Sequence, residues 1–350
     1  MKKQDKRKFL ALTAGILCIL GIFWFVLVQA EKKYYKKTSK NILQEKNIKK
    51  DVYSEEIVVE KETLTFYKKK YDYFDEIESY LLIGTDASGV SKADGGQYHG
   101  NMADFILLAI FNKTESTYSF LQLDRDTITE IDLLQEDGSA NASADIQLCT
   151  AHWYGGSESA GCVNTVNAVS AMLGNLTIDG YYELNMKEIP VLNHAIGGVT
   201  VTLEDDFSNI DKTMQKGKTI KLKDNQAFHY VHDRYQVGDE RNISRMRRQR
   251  NYMKEFFKIA VEKTKEEPAF GNRLYKRLKE AANTDINGRK VSAIMNWISA
   301  WQGKGIYVFE GKSKIGKILG DGEEHAEFYI DKKSKIDVMT KLYGLKERKS

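Results

Sequence analysis

The chain has 350 residues, of which 42% are hydrophobic and 29% are charged, as expected for one large globular domain or two small ones. The formal net charge is only +4, so the chain as a whole is not a polycation, and this argues against nucleic acid as a partner. Only two prolines occur, which excludes a proline-rich linker.

The amino terminus predicts a membrane anchor. Residues 1–8 carry five basic residues and one acid, and residues 9–30 ("FLALTAGILCILGIFWFVLVQA") carry no charge. A helix that spans a bilayer needs about 20 residues, whereas the apolar region of a cleaved signal peptide has about 7–15. We therefore expect a cytoplasmic tail at 1–8, a single transmembrane anchor at 9–30, and the rest of the chain outside the cell membrane. Cleavage after "VQA" (28–30) is the alternative.

The remaining chain divides by its pattern. Residues 31–75 are rich in Lys, Glu and Tyr, and we interpret them as an extracytoplasmic stalk. Apolar runs at 79–86, 104–112 and 118–124 are then typical of buried strands, and they alternate with segments of helical spacing. This alternation predicts an α/β domain over 76–265, with a central mixed sheet covered by helices on both faces. Residues 266–350 are expected to form an extension of helices and strands packed on that domain.

Cys149 and Cys162 are the only cysteines outside the predicted anchor. On the oxidising side of the membrane we expect them to form a disulfide bond, worth about 3 kcal/mol in the chain-entropy description. Two unpaired buried thiols are the alternative. We do not favour a metal site, because His152 alone does not complete a thiolate site.

Arginine is concentrated in one short stretch. Six of the 12 arginines lie within "RYQVGDERNISRMRRQR" (234–250), in a chain that otherwise uses lysine. A long helix is predicted from Asn242, and the spacing of Arg245, Arg248 and Gln249 places them on one face of it. Guanidinium groups bind phosphate in a planar, bidentate manner, and the amino terminus of a helix attracts anions. The stretch therefore favours a phosphate site over an exposed basic helix, which is the alternative.

Acids and one isolated arginine stand at predicted strand ends. Asp86 follows the first buried strand, Asp104 opens the second, and Arg125 follows the third. Ligands of open α/β sheets bind at such ends, and two carboxylates together with phosphate oxygens commonly hold Mg²⁺. Turn residues and a salt-bridged turn around Arg125 are the alternatives.

Five ordered motifs resemble those of one family. They read "IGTD" (83–86), "MAD" (102–104), "RDT" (125–127), "YVHDR" (230–234) and "RMRRQ" (245–249). In order and spacing, over about residues 76–265, they resemble the LytR-CpsA-Psr family of membrane-anchored phosphotransferases. The resemblance implies that the chain moves a glycopolymer from a polyprenyl-pyrophosphate carrier to peptidoglycan through a phosphodiester bond.

The resemblance also implies a set of site residues. Asp86 and Asp104 would hold Mg²⁺, or Mn²⁺ in its place. The pyrophosphate would be bound by Arg125, His232, Arg234, Arg245, Arg248 and Gln249. Catalysis would rest on Arg125, Asp126, Arg234 and Arg245, although the sequence gives no argument for Asp126 as a base. The carrier chain would need an apolar groove, which we expect around residues 163–201.

Two positions depart from the family pattern. The Arg of its R-x-D motif is Met102 here, and the first Arg of its R-x-R motif is His232. These changes keep two other functions open. One is a non-catalytic protein that binds lipid-linked polymer or regulates the cell wall, and the other is a hydrolase that uses water as the acceptor.

Overall fold

The long apolar runs form the middle of a six-stranded sheet. The computed structural model describes residues 63–86, 91–92, 98–99, 101–135, 138–155 and 157–349. Its strands are β1 Leu64–Phe66, β2 Lys69–Asp72, β3 Ile77–Thr85, β4 Ser91–Lys92, β5 Tyr98–His99, β6 Ala103–Asn112, β7 Thr117–Leu123, β8 Ile128–Leu134, β9 Ala140–Gln147, β10 Gly180–Asn185, β11 Thr200–Thr202, β12 Thr219–Lys221, β13 Ala282–Thr284, β14 Gln302–Tyr307, β15 Gly311–Gly316, β16 His325–Ile330 and β17 Lys346–Glu347.

The helices follow the predicted alternation with strands. They are α1 Thr150–Trp153, α2 Glu158–Met172, α3 Ile189–Ile196, α4 Asp224–His232, α5 Asn242–Glu266, α6 Phe270–Leu278, α7 Gly288–Ala300 and α8 Lys332–Tyr343. The predicted long helix is present and begins at Asn242, with Arg241 at the N-cap position.

The central sheet is mixed, which confirms the predicted fold class. Its strand order is β13–β10–β3–β6–β7–β14. The inner strands β3, β6 and β7 pair antiparallel, whereas β10 runs parallel to β3 and β14 runs parallel to β7. Because β3 and β7 both run opposite to β6, the carboxyl ends of β3 and β7 lie at the same edge as the start of β6.

Both faces of the sheet are buried. Successive side chains of a strand point to opposite faces, so Ile106 and Leu108 of β6 join a core that includes α2 and α8. Leu107 and Phe111 join a second core that includes α7. On that second face, the ring of Phe120 stacks on Phe257 of α5 at 4.9 Å between centroids.

The predicted boundaries at 75 and 266 do not separate folded units. Residues Glu62–Ser350 form one compact unit. Leu64 and Phe66, assigned to the stalk, are buried in the main core, and β2 pairs with β17. The predicted extension supplies both edge strands of the central sheet, β13 and β14, and is therefore an integral part of the fold.

The predicted tail, the predicted anchor and residues 31–62 of the predicted stalk lie outside the described residues. Among the helices that the structure describes, none is long and apolar enough to cross a bilayer.

Candidate active site

The sheet brings four predicted residues to one edge. Asp86 directly follows β3, Asp104 is the second residue of β6, and Arg125 and Asp126 follow β7. The end of α4 and the first turn of α5 lie against this edge, since Arg245 contacts Asp104 across it. The predicted strand-end site is thus assembled from distant parts of the chain.

Asp104 lies between two guanidinium groups. Its Oδ1 accepts a hydrogen bond from Nη1 of Arg125, and its Oδ2 accepts one from Nη1 of Arg245 at 3.0 Å. The Oδ1 atom of Asn242 accepts from Nε and Nη2 of Arg245 at 3.1 and 2.8 Å, which fixes the guanidinium plane. Burial lowers the pKa of Arg245, an effect that the charge of Asp104 opposes.

The second terminal nitrogen of Arg125 contacts two sulfur atoms. Its Nη2 lies 3.0 Å from Sδ of Met102 and 2.9 Å from Sγ of Cys149. Sulfur is a weak acceptor, and a phosphate oxygen would accept the same N–H groups far better. Met102 therefore leaves Arg125 with donors that an anion can use.

The predicted disulfide bond is wrong. Cys149 and Cys162 are both buried thiols and are not joined by a disulfide bond. The thiol of Cys149 faces Arg125, whereas that of Cys162 faces Nε2 of His152 at 3.6 Å and Glu183 at 3.8 Å. The two thiols point to different polar groups, so the short spacing along the chain does not bring the sulfur atoms together.

His232 occupies the cavity position that the family motif gives to arginine. Its Nδ1 lies 2.9 Å from Oδ1 of Asp233, its Nε2 lies 3.3 Å from Oδ1 of Asp86, and its ring stacks on Phe228. The hydrogen bond with Asp233 raises the pKa of His232; burial opposes this effect and the contact with Asp86 adds to it. The imidazole therefore keeps its positive charge to a higher pH than an ordinary histidine.

Asp86, Asp104 and His232 converge on one point. One donor atom from each lies within 4.8 Å of the other two. Two carboxylates that line one cavity fit Mg²⁺ or Mn²⁺, which bind oxygen donors and retain waters. A cation here would compete with Arg125 and Arg245 for Asp104, so its binding and that of an anion would be coupled.

Asp126 is 8% exposed and lies beside Arg125, whose Nε is 3.4 Å from its Oδ1. Burial raises the pKa of Asp126 to about 6, although the charge of Arg125 opposes the rise. A carboxylate with this pKa can gain or lose a proton close to neutral pH.

These residues line a cavity of about 450 Å³, which we call the polar cavity. Arg234 also lines it and donates a hydrogen bond from Nη2 to the hydroxyl of Tyr235 at 2.6 Å. The predicted residues that line the polar cavity are Asp86, Asp104, Arg125, Asp126, His232, Arg234 and Arg245.

Arg248 and Gln249 do not line the polar cavity and so lie apart from the other predicted pyrophosphate residues. Arg248 is 1% exposed and binds Oδ2 of Asp205 at 2.7 Å and the carbonyl of Tyr230 at 2.9 Å. Gln249 donates to the carbonyl of Val231 and accepts from Gln122. Both side chains hold the segment that carries His232.

The sequence did not predict part of this wall. The polar cavity is also lined by Met102, Gln147, Cys149, Thr150, Asp233, Tyr235, Leu319, His325 and Ala326. Asp233 and Tyr235 flank Arg234 and could have been found from that motif. The last three belong to the hairpin β15–β16, which is held by hydrogen bonds from Phe328 to the carbonyl of Asp126 and from Gln147 to the carbonyl of Ala326.

An apolar cavity of about 340 Å³ adjoins the polar one. At the end of β3, Gly84 lines the apolar cavity and Asp86 lines the polar one. At the end of α4, Val231 lines the apolar cavity and His232 lines the polar one. Of the stretch expected to line a groove, only residues between 182 and 192 contribute, together with strands β3, β6 and β7 and helices α5, α6 and α7. This cavity lies on the face of the sheet that carries Leu107 and Phe111.

Fold and site define an α/β protein whose strand-end site combines arginines and acids with an adjoining apolar cavity. The chain belongs to the LytR_cpsA_psr family, whose family model matches residues 27–341. It is 28% identical over 188 residues to Biofilm regulatory protein A of Streptococcus mutans, covering 51% of this chain and 43% of that protein. The chain thus spans less than half the length of that relative.

Two further comparisons agree with the family. The chain is 25% identical over 258 residues to the polyisoprenyl-teichoic acid–peptidoglycan teichoic acid transferase TagU of Bacillus cereus, covering 72% of this chain and 71% of that protein. The crystal structure of B. subtilis TagV matches with a TM-score of 0.57 at 17% identity, covering 76% of this chain and 96% of that one. At this identity the structural match shows the fold alone.

Proposed function

We propose that this chain is a phosphotransferase, anchored in the cell membrane through residues 9–30, that moves a glycopolymer from a polyprenyl-pyrophosphate carrier to peptidoglycan. The family, and the similarity to the teichoic acid transferase TagU of B. cereus, support a cell-wall glycopolymer as the cargo. The observation that carries the proposal is the junction of the two cavities at the ends of β3 and α4.

The junction fits a lipid with a charged head. An apolar cavity lined by aromatic and aliphatic side chains suits a polyprenyl chain, whose transfer from water contributes about 0.8 kcal/mol per buried CH₂ group. The polar cavity places Arg125, Arg234 and Arg245 where the pyrophosphate would lie. Arginine matches the geometry of phosphate oxygens and stabilises the charge that develops when the pyrophosphate bond breaks.

The reaction needs no protein nucleophile. A hydroxyl oxygen of peptidoglycan attacks the phosphorus that carries the glycan, and a new P–O bond forms. The bond from that phosphorus to the bridging oxygen breaks, and its electron pair leaves with polyprenyl monophosphate, whose charge Arg125 and Arg234 stabilise. The hydroxyl proton passes to a carboxylate, for which the buried Asp126 is the candidate. Positioning and electrostatics are sufficient for phosphoryl transfer of this kind.

A divalent cation is part of the proposal. Asp86 and Asp104 would hold Mg²⁺, or Mn²⁺ in its place, with His232 beside them. When bound, the ion would supply positive charge to the pyrophosphate oxygens.

The test is a transfer assay with the full chain in detergent, Mg²⁺, a short glycan on polyprenyl pyrophosphate, and peptidoglycan fragments. Wild type should form a phosphodiester-linked product, identified by mass. Arg125→Ala should lower the rate by about 10²–10³-fold, as loss of an oxyanion donor does. Arg241→Ala is the matched control, because Arg241 is an exposed arginine outside the polar cavity and should leave the rate unchanged.

The products of the same assay distinguish transfer from the two alternative functions, hydrolysis and non-catalytic binding. Released polyprenyl monophosphate and phosphoglycan without a joined product would indicate hydrolysis. Substrate that is bound but intact would indicate a binder or regulator, a function favoured by Met102 and by the similarity to Biofilm regulatory protein A of S. mutans.

A further inference from the structure

Three buried donor groups meet behind the polar cavity. His152 of α1, Cys162 of α2 and Glu183 of β10 are 1%, 0% and 4% exposed. One nitrogen, one sulfur and one oxygen atom from them lie within 4.8 Å of one another. None of the three lines the polar or the apolar cavity, so the group is separate from the candidate active site.

Neighbouring hydrogen bonds orient two of these donors. Nδ1 of His152 lies 2.8 Å from the carbonyl oxygen of Asn101. A carbonyl can only accept, so Nδ1 carries the proton, and in the neutral ring Nε2 presents its lone pair to Sγ of Cys162 at 3.6 Å. The hydroxyl of Thr85 donates to Oε1 of Glu183 at 2.6 Å, and Oε2 lies 3.8 Å from Sγ of Cys162. Hydrogen bonds of this type fix the direction of metal ligands.

The close approach of α2 to α1 brings the thiol into this position. Gly161 precedes Cys162, and a Cβ atom at Gly161 would lie 2.7 Å from the carbonyl oxygen of His152. Glycine therefore lets the two helices meet closely enough for Cys162 to face the imidazole.

We propose that Nε2 of His152, Sγ of Cys162 and Oε2 of Glu183 bind a structural Zn²⁺ ion. Bond lengths of about 2.0–2.1 Å to nitrogen and about 2.3 Å to sulfur, at a tetrahedral angle, separate the two ligand atoms by about 3.6 Å. The separation of Nε2 and Sγ is 3.6 Å and that of Sγ and Oε2 is 3.8 Å. Both separations from the sulfur are thus close to those of tetrahedral zinc, the nitrogen and oxygen lie within 4.8 Å of each other, and a water molecule completes the fourth position.

The charges of the site balance. Cys162 binds as a thiolate, and its proton leaves to solvent as the ion enters. The thiolate and the Glu183 carboxylate together neutralise the two positive charges of the ion, which lowers the cost of burying them. The mixture of sulfur, imidazole and carboxylate suits zinc and does not suit Mg²⁺, which binds oxygen.

The ion would brace the candidate active site from behind. His152 is three residues from Cys149, whose backbone N–H donates to the carbonyl of Arg125 at 3.0 Å. Asn101, which orients His152, directly precedes Met102, the sulfur contact of Arg125. A metal that joins α1, α2 and β10 would therefore hold both neighbours of Arg125 in place.

Cobalt spectroscopy tests the proposal. The full chain in detergent is freed of metal and titrated with Co²⁺ in excess Mg²⁺, which occupies oxygen sites such as Asp86 and Asp104. We expect one Co²⁺ per chain with a sulfur-to-cobalt charge-transfer band, displaced by Zn²⁺. The band should vanish in Cys162→Ser and persist in Cys149→Ser, the matched control, whose thiol is equally buried but faces Arg125.

Two milder variants keep the proposal testable if Cys162→Ser does not fold. Thr85→Val removes the hydrogen bond to Glu183 and should weaken Co²⁺ binding by about 10–100-fold, as loss of an outer-shell partner does. Glu183→Gln should weaken it at least as much. The proposal is overturned if wild type shows no sulfur band, if the band survives in Cys162→Ser or disappears in Cys149→Ser, or if both milder variants bind Co²⁺ as wild type does.

Discussion

The raised pKa of Asp126 predicts how the rate of transfer depends on pH. Its pKa is raised to about 6 by burial, so the carboxylate is largely protonated below that pH and ionised above it. Because only the ionised form can accept the hydroxyl proton, kcat of transfer should rise about tenfold per pH unit below about 6 and level off above it. Asp126→Asn should be slow and should lack this acidic limb. An identical limb in that variant would assign the ionisation to another group.

Arg248 and Arg247 are neighbours on α5 with different burial, which makes them a matched pair for stability. Arg248 is 1% exposed and pairs with Asp205 at 2.7 Å, so Arg248→Ala should lower the free energy of unfolding by about 3–5 kcal/mol, because it leaves the buried carboxylate with only the longer contact to Arg247 at 3.8 Å. Arg247 is half-exposed and pairs mainly with Glu204, so Arg247→Ala should lower the free energy of unfolding by less than about 1 kcal/mol. Urea unfolding measures both.

The same pair decides between two roles for Arg248. If Arg248→Ala unfolds like wild type but fails to bind the pyrophosphate, Arg248 contacts substrate, as the sequence predicts. If the variant instead loses stability, Arg248 acts through its buried contacts with Asp205 and Tyr230.

The sequence predicted the position of a candidate site residue best where that residue stands at the end of a recognisable strand. Asp86, Asp104 and Arg125 stand at strand ends, and strand ends determine where a side chain lies. Helical spacing placed Arg245 and Arg248 on one face, but that face contacts both the polar cavity and the buried Asp205. Likewise, the spacing of Cys149 and Cys162 along the chain did not reveal that their side chains point to different groups.

At the scale of elements, the hairpin β15–β16 is the part of the polar cavity wall that sequence did not indicate. Leu319 and His325 line the polar cavity from this hairpin. We expect Leu319→Ala to raise KM for the lipid-linked glycan several-fold with little change in kcat, since it shapes the cavity without touching the reacting atoms. Ile315→Ala, on an exposed position of β15, is the control. Equal KM values in the two variants would show that Leu319 of the hairpin does not contact the substrate.

Sequence predicted the inner strands of the sheet and missed its edges for a physical reason. Strands β3, β6 and β7 are buried on both faces and are therefore nearly continuous apolar runs. The edge strands β13 ("ANT") and β14 ("QGKGIY") are short and mostly polar, so no periodicity distinguishes them from loops. Their places depend on pairing with β10 and β7, which are far away in sequence.

At the scale of the whole molecule, residues 266–350 complete the central sheet and contribute to the lining of both adjoining cavities. Helix α7 lines the apolar cavity, and the hairpin β15–β16 lines the polar one. The segment that looked like an extension therefore contributes to both halves of the site. The family model, which runs to residue 341, agrees with this view.

The most direct measurement is photo-crosslinking with a polyprenyl pyrophosphate that carries a photoreactive group near the middle of its chain. After irradiation with the full chain in detergent, labelled peptides are identified by mass spectrometry. Labels should fall on residues lining the apolar cavity, such as Leu107, Phe257 and Ile294, and unlabelled polyprenyl pyrophosphate should compete for them. Labels confined to other surfaces, or labels that the competitor does not reduce, would contradict the assignment of the two cavities to one lipid-pyrophosphate site.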